Sequence, residues 1–186
     1  MRKKLFNKSG FYHLILLFLI IINISCAQST RWINNEEINS IQFKKIRYSC
    51  NDSDTISIIG FMNNNNIIQG YPCKKGWVHF TKEKDLKLFC LSETHEVENI
   101  MLPVGCWIID FQNDNFTTVV FPNDTIIQGF PVRGGGGVKG ARTRFYKSGK
   151  LKSFFPSKNF ISNDTKFKKS LFHSVKILSD GSLIQD

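Results

Sequence analysis

The sequence predicts an all-β protein: an antiparallel sheet built from consecutive β-hairpin repeats of about 32 residues, preceded by a signal-peptide helix. Three observations predict this fold. The N-terminus is basic and then apolar, two distant segments resemble each other, and apolar and polar residues alternate around Gly-containing turns. A period of two places successive side chains on opposite faces of a strand. We therefore expect hairpins rather than helices beyond the N-terminus.

Residues 1–25 are predicted to form the signal peptide. An apolar run of nine residues, 14–22, follows a basic stretch made of Arg2, Lys3, Lys4 and Lys8. Nine residues are fewer than the roughly 20 needed to cross a bilayer as a stable helix. Residues 26–45 are then expected to be a linker that could form one short helix, and residues 46–186 the β-hairpin repeat domain.

Cys26 is the candidate lipidation residue. Ser25 and Cys26 resemble the end of a bacterial lipoprotein signal, in which the cysteine sulfur receives a diacylglyceryl group, although Asn23 stands where that pattern has an apolar residue. Cleavage after Ala27 is the alternative, and it would release a secreted protein. The expected location is the bacterial cell envelope, as a periplasmic or surface lipoprotein anchored in a membrane.

Net charge narrows the range of partners. The full chain carries +10, but four of its 25 basic residues lie in the signal peptide, so residues 26–186 have 21 basic against 15 acidic residues, or +6. This charge suits anionic lipid headgroups, acidic polysaccharide or nucleic acid. Nucleic acid is not an expected partner of an exported protein. The length suits one domain.

Four further cysteines, Cys50, Cys73, Cys90 and Cys106, are candidates for disulfide bonds because an exported chain reaches an oxidising compartment. Four cysteines allow three connectivities, and the sequence does not choose among them. Buried free thiols are the alternative. Neither a metal site nor a cofactor is predicted, since there is no CxxC pair.

Two pairs of related segments indicate an internal repeat. Residues 67–72 (IIQGYP) return as residues 126–131 (IIQGFP). Downstream, residues 78–92 align without gaps to residues 143–157, with six identities in fifteen positions. Weaker copies near residues 48, 112 and 177 extend the array to four or five units. Each unit is predicted to be a hairpin whose turn uses Gly or a short polar residue.

Residues 144–153 (RFYKSGKLKS) carry a resemblance to a known repeat class. They resemble the variant MORN-type repeat, which combines an aromatic pair, a polar-Gly turn and a Lys-Leu-Lys-like strand and is found in bacterial lipoproteins and antitoxin-like proteins. The resemblance covers at most residues 67–186, and residues 83–85 depart from it where the turn Gly belongs. It implies a long curved β-sheet that acts in binding or as a scaffold, without enzymatic activity.

Aromatic residues recur at repeat spacing and are predicted to fill the core between hairpins. They are Trp77, Phe80, Phe89, Trp107, Phe145, Phe154 and Phe155. A surface that stacks sugars is the alternative.

A Gly-rich stretch is the one segment with a chemical interpretation. Its candidate anion-binding residues are Arg133, Gly134, Gly135, Gly136, Gly137, Lys139 and Arg142. Successive glycine amides flanked by cations can form an anion-binding nest. No Lys-Ser or Lys-Thr follows, as a phosphate-binding P-loop would require. The sequence nevertheless favours a flexible loop inserted into one repeat, because the stretch accounts for the longer spacing between this unit and the one before it.

The expected function is that of an exported, lipid-anchored, non-enzymatic β-repeat protein that binds or scaffolds a protein or polysaccharide of the envelope or the extracellular space. One alternative is a small secreted hydrolase built around His79 or His173 with a cysteine or a carboxylate such as Asp110. A further alternative is an immunity or inhibitor protein. No catalytic residue is predicted for the preferred function.

Overall fold

The computed structural model describes residues 29–51, 54–97, 100–111 and 117–185. The predicted signal peptide and Cys26 lie outside these residues, as does the turn expected at residues 113–115. The described chain is made of β-strands and one 3-10 helix at Gly137–Lys139. Within it, no helix has the length and apolarity that crossing a bilayer requires.

The strands form one long antiparallel sheet and four short hairpins. The long sheet contains β1 Ser29–Ile38, β2 Ile41–Asn51, β3 Asp54–Met62, β6 Gly76–Phe80, β7 Leu86–Cys90, β10 Trp107–Ile109, β11 Thr118–Val120, β14 Thr143–Phe145, β15 Leu151–Phe154, β18 Val175–Ile177 and β19 Leu183–Gln185. The short hairpins are β4 Asn66–Ile68 with β5 Tyr71–Cys73, β8 His95–Val97 with β9 Ile100–Leu102, β12 Thr125–Ile127 with β13 Phe130–Val132, and β16 Phe160–Ser162 with β17 Thr165–Phe167.

The strands of the long sheet are ordered β1-β2-β3-β6-β7-β10-β11-β14-β15-β18-β19. After β3, β7, β11 and β15 the chain leaves this sheet, makes one short hairpin, and returns as the next strand. Strands that pair in the long sheet therefore follow one another along the chain, separated only by turns or by one short hairpin. The all-β prediction and the consecutive hairpins are confirmed, and the architecture is repeat-like.

Residues 29–45 differ from the prediction. They were expected to be a linker with a short helix, but they form β1 and the first part of β2. Asn39 and Ser40 both have positive φ angles, 52° and 62°, which joins the two strands through a two-residue turn. Ile38 and Phe43 are buried on either side of that turn. The sheet therefore begins at Ser29 rather than near residue 46.

One contiguous core lies between the long sheet and the short hairpins. Sheet residues in it include Ile46, Ile58, Val78, Phe80, Phe89, Ile108, Val119, Phe145, Phe154 and Val175, and the hairpins add Ile68, Cys73, Val97, Leu102, Val132 and Phe167. Burial of such side chains is the main source of stability in a fold of this kind. The core position predicted for Phe80, Phe89, Phe145 and Phe154 is confirmed.

The repeated Ile-Ile-Gln-Gly segments build identical turns. Gln69 and Gly70 connect β4 to β5 with φ angles of 50° and 85°, and Gln128 and Gly129 connect β12 to β13 with 49° and 85°. Two successive positive φ angles define the turn that matches strand twist, and Gly is favoured in it. The sequence identity therefore has a backbone cause.

The glutamines of these turns also fasten each short hairpin to the long sheet. The side-chain oxygen of Gln69 accepts a hydrogen bond from the Leu86 amide at 2.9 Å, and that of Gln128 accepts one from the Leu151 amide at 2.9 Å. The Gln128 amide also donates to the Gly149 carbonyl. Each glutamine thus satisfies backbone groups at the turn of the next sheet hairpin.

Candidate functional site

The Gly-rich segment forms a loop, residues 133–142, that connects β13 to β14. We call it the glycine loop. It lies against the face of β10 and β11, because a Cβ added to Gly137 would lie 3.8 Å from Trp107 Nε1 and one added to Gly140 would lie 2.7 Å from Val120 Cγ1. The loop therefore covers Trp107 and Val120, on two adjacent strands of the long sheet.

Several loop positions admit only glycine. Gly135 and Gly136 have φ angles of 87° and 84°, a region that side chains with a Cβ rarely adopt. A Cβ on Gly134 would overlap the Asn123 carbonyl, and one on Gly140 would overlap the Gly135 carbonyl. The glycines thus build one defined, close-packed loop. The sequence had favoured a flexible insertion, and the flexibility of this loop stays a prediction.

The glycine amides are partly used inside the fold. The Gly134 amide donates to Asp124 Oδ1 at 3.0 Å, and the Gly135 amide donates to the Phe121 carbonyl at 2.9 Å. The Gly140 amide donates to the Gly137 carbonyl at 2.9 Å. An anion could not take these three donors without breaking the loop. The prediction that backbone amides form an anion-binding nest is therefore less well supported. The cationic side chains are the main candidate groups for binding an anion.

The glycine loop forms one wall of a cleft of about 760 Å³. Four cationic residues line it: Arg133, Lys139, Arg142 and Arg144. Ser153, Phe155, Leu171 and Ser174 also contribute, and no carboxylate is among the described lining residues. We call this the cationic cleft. Its volume lies within the range of about 300–1,000 Å³ typical of ligand sites.

The four cations of the cleft form no ion pair with any residue that the structure describes. Among the described residues, none of them lies within 4.0 Å of a carboxylate oxygen. Lys139, Arg142 and Arg144 are exposed, and Arg133 is half-buried. Like charges that share a concave surface focus a positive potential, which attracts anions. The cleft is therefore a candidate anion-binding site.

Arg144 belongs to the site but was missed as a candidate from sequence. It lies on β14 opposite Thr118 of β11 and Ser153 of β15, so the three share one face of the long sheet. Strand alternation separates Arg144 from the buried Thr143 and Phe145 and could have placed it on that face. What sequence could not show is that the glycine loop stands beside it.

A second surface lies on the long sheet near its N-terminal edge. We call it the aromatic–cation patch: Trp32, Lys45, Arg47, Phe61 and Trp77. Lys45 Nζ lies 5.4, 5.7 and 5.1 Å from the ring centroids of Trp32, Phe61 and Trp77. The Arg47 guanidinium carbon lies 5.5 Å from the Trp32 ring. These distances are those of cation–π interactions.

The patch corrects the core assignment of Trp77. Its side chain is 37% exposed and that of Trp32 is 49% exposed. The Trp32 and Trp77 rings lie 6.1 Å apart, and Trp77 contacts Phe61 edge-on at 4.9 Å. Trp77 comes directly before the buried Val78 on β6, so strand alternation turns it to the opposite face of the sheet. Repeat spacing alone did not distinguish the two faces.

The residues of the alternative hydrolase are spread over the fold. His79 lies on β6, where burial lowers its pKa and the cations Arg47 and Lys87 lower it further. His173 is exposed in the segment before β18. Asp110 lines a separate cleft of about 460 Å³ that also contains Arg144. The described clefts do not bring His79, His173 and Asp110 together.

Three cysteines are in the core region as thiols. Cys73 and Cys106 are fully buried, and burial raises the pKa of each to about 12. Burial also raises the pKa of Cys90, against the opposing effect of Lys74. Cys73, Cys90 and Cys106 are not bridged in the structure, while Cys50 is half-buried on β2. Disulfide formation after export stays a prediction. Within the described residues, no three His, Cys, Asp or Glu residues are grouped as metal ligands.

No protein-family model, curated protein or solved structure matches this chain. The interpretation of both surfaces therefore depends on their own geometry and charge.

Proposed function

We propose that this chain is an exported, lipid-anchored β-repeat protein that binds an anionic partner in the cationic cleft, without enzymatic activity. The long sheet is a scaffold, and the glycine loop shapes the binding site on it. The partner is an acidic protein segment or an acidic polysaccharide of the envelope or the extracellular space. Hairpin units of about 32 residues, of the variant MORN type, are part of the same proposal.

The observation that carries the proposal is the grouping of Arg133, Lys139, Arg142 and Arg144 in one cleft, with no carboxylate among its described lining residues. Two chain segments supply these cations, the glycine loop and strand β14. Arginine side chains bind carboxylates and phosphates through two parallel hydrogen bonds, which gives orientation as well as affinity. Three arginines with a lysine suit a ligand with several negative groups.

The cleft also offers contacts to an uncharged part of a ligand. Phe155 and Leu171 line it beside the hydroxyl groups of Ser153 and Ser174. A sugar ring or an aliphatic side chain can pack on Phe155 and Leu171, while the two hydroxyl groups donate or accept hydrogen bonds. This mixture favours an organic polyanion over a small inorganic ion.

The test is titration with two defined probes, an oligomer of galacturonic acid for carboxylates and tripolyphosphate for phosphates. We expect Arg142→Gln with Arg144→Gln to weaken binding of the preferred probe at least about tenfold, since hydrogen bonds to charged groups contribute about 1.5–3 kcal/mol each. Lys166→Gln with Lys168→Gln is the matched control, because it removes the same charge from exposed positions on and beside β17. If both double variants lose the same affinity for the probe, the effect is due to net charge, and the proposal that the cleft binds the anion is wrong.

The lipid anchor is tested separately by intact mass and detergent partitioning of the wild type beside Cys26→Ser. We expect the wild type to enter the detergent phase with acyl chains on Cys26, because stable anchoring takes about two chains. If both proteins are water-soluble and begin at Gln28, the anchor proposal is wrong, and the cleft proposal is unaffected.

A further inference from the structure

The aromatic–cation patch combines groups that suit the surface of a membrane. Trp32 and Trp77 are exposed by 49% and 37%, although large aromatic side chains are usually withdrawn from water. Tryptophan is enriched at membrane–water interfaces, where an apolar ring and a polar N–H match the headgroup region. Two neighbouring exposed tryptophans on one sheet face are therefore an interaction surface.

The cations of the patch lie among these rings. Lys45 contacts the rings of Trp32, Phe61 and Trp77, and Arg47 lies over Trp32. Arg47 Nε is buried and has no hydrogen-bond partner among the described residues. A phosphate group that approaches the patch would meet both positive charges and the ring edges. The charge of the patch thus complements an anionic lipid headgroup.

The position of the patch in the chain points to the same partner. Trp32 lies on β1, the first strand in the order of the long sheet. Trp32 is only six positions after Cys26 in the chain, and six residues span at most about 20 Å. A lipid attached at Cys26 would therefore hold the patch within reach of the headgroups.

We infer that the aromatic–cation patch docks the N-terminal end of the sheet onto a bilayer containing anionic phospholipid. Trp32 and Trp77 enter the headgroup region, and Lys45 and Arg47 bind the phosphates. Docking supplements the anchor and orients the sheet, so that the cationic cleft, built by residues between 133 and 174, is directed away from the attachment point. The orientation rests on the proposed lipid anchor, whereas binding of the patch to lipid does not.

The experiment uses full-length protein carrying Cys26→Ser, exported and purified without acyl chains, so that the patch is tested without the anchor. Its binding to vesicles of phosphatidylglycerol and phosphatidylcholine in equal amounts is measured by sedimentation. We expect binding to these vesicles and little binding to phosphatidylcholine alone. Lys45→Gln with Arg47→Gln should weaken binding about 25-fold, because each cation near an anionic surface contributes about fivefold.

The matched control is Lys139→Gln with Arg142→Gln, which removes two charges from the cationic cleft and leaves the patch intact. We expect this variant to bind the vesicles within about threefold of the parent, as its charges lie away from the patch. Equal weakening by both pairs would overturn the inference, since lipid would then respond to overall charge or to the cleft.

Tryptophan quenching by brominated lipid gives a readout that needs no charge substitution. The chain has three tryptophans, and the glycine loop covers the third, Trp107. Brominated vesicles should quench the parent, whereas the variant with Trp32→Phe and Trp77→Phe, which retains Trp107 alone, should not be quenched. Quenching of Trp107 alone, or sedimentation without quenching in the parent, would overturn the inference. A shift of emission with oligosaccharide but not with vesicles would also overturn it and indicate a sugar-binding surface.

Discussion

Two stretches of the molecule, residues 67–92 and 126–157, share their turns and backbone attachments and differ most in one connection. In both, a Gln-Gly turn joins the two strands of a short hairpin. The glutamine side chain is hydrogen-bonded to the backbone of the next hairpin of the long sheet. In both, a proline carbonyl accepts a hydrogen bond from a serine amide, Ser92 to Pro72 at 2.8 Å and Ser157 to Pro131 at 2.9 Å. The two stretches therefore share their backbone connections as well as their sequence.

The difference is the connection back to the long sheet. Residues 74–75 connect β5 to β6, whereas residues 133–142 connect β13 to β14. Both connections begin alike: the Lys74 amide donates to the Cys90 carbonyl at 2.7 Å, and the Arg133 amide donates to the Phe155 carbonyl at 2.8 Å. The longer connection thus adds residues beyond a retained attachment.

This comparison separates what supports the fold from what supports the proposed binding. The shared contacts satisfy backbone groups and bury side chains in both stretches, so they are explained by stability. The residues added after Gly134 supply two of the four cations of the cleft, Lys139 and Arg142, and loops on rigid scaffolds commonly carry function. The longer stretch is the place where this chain departs from its own repeated pattern.

The largest expected effect tests whether the two stretches are equivalent in the core. Phe80 and Phe145 occupy corresponding positions and are 0% and 2% exposed. We expect Phe80→Ala and Phe145→Ala each to lower the free energy of unfolding by about 3–5 kcal/mol, because each leaves a cavity among buried side chains. Urea denaturation of the two variants measures this directly.

Phe155→Ala is the control, since that residue is only half-buried and lines the cleft. It should cost clearly less than Phe145→Ala. If one core substitution lowers the free energy of unfolding by less than about 1 kcal/mol and the other lowers it by more, the two stretches are not equivalent in the core, whatever their sequence similarity.

The shared part of the fold could be predicted from sequence because its signals are local. Alternation around Phe80 and Phe145, and glycine in the Gln-Gly turns, specify strands and turns through backbone sterics. The first hairpin was missed, since residues 31–45 contain no glycine turn. Asn39 and Ser40 instead adopt the positive φ angles, which asparagine tolerates better than most residues.

The middle expected effect tests whether the added loop has one defined conformation. Gly134 corresponds to Lys75: their amides donate to Asp124 Oδ1 at 3.0 Å and to Asn65 Oδ1 at 2.8 Å. We expect Gly134→Ala to lower the free energy of unfolding by about 2 kcal/mol, because its Cβ would overlap the Asn123 carbonyl. Lys75→Ala, at an exposed position, should change it by no more than about 0.5 kcal/mol.

Gly134→Ala should also weaken binding of the preferred polyanion probe, whereas Lys75→Ala should not. If Gly134→Ala is as mild as Lys75→Ala in stability and in binding, the loop adapts freely. The flexible-insertion interpretation of the sequence would then be right.

The site was less predictable than the fold because its shape depends on how separate segments pack against each other. The sequence identified Arg133, Lys139 and Arg142 through their proximity to glycines. It did not identify Arg144, which joins them only because β14 pairs with β15 beside the loop. The patch was missed for the same reason: Trp32 and Trp77 are 45 residues apart and meet through the order of β1, β2, β3 and β6.

The smallest expected effect concerns a position where the two stretches differ in chemistry but not in environment. The backbone of Cys73 pairs with that of Leu91 in an isolated antiparallel β-bridge, and Val132 pairs with Pro156 in the same way. Both side chains are fully buried. We expect Cys73→Val to change the free energy of unfolding by less than about 1 kcal/mol, since valine already fills the equivalent site. Urea denaturation with and without a reducing agent measures it.

The same substitution decides between the two fates predicted for the cysteines. Burial raises the pKa of the Cys73 thiol to about 12, so at neutral pH it is protonated and reacts slowly with Ellman's reagent in the folded protein. If Cys73 were instead bridged after export, Cys73→Val would cost about 2–4 kcal/mol under oxidising conditions, because the unfolded chain would lose a cross-link. That cost would disappear when both proteins are reduced. A small cost under both conditions would mean that Cys73 is a core side chain, interchangeable with the valine of the other stretch.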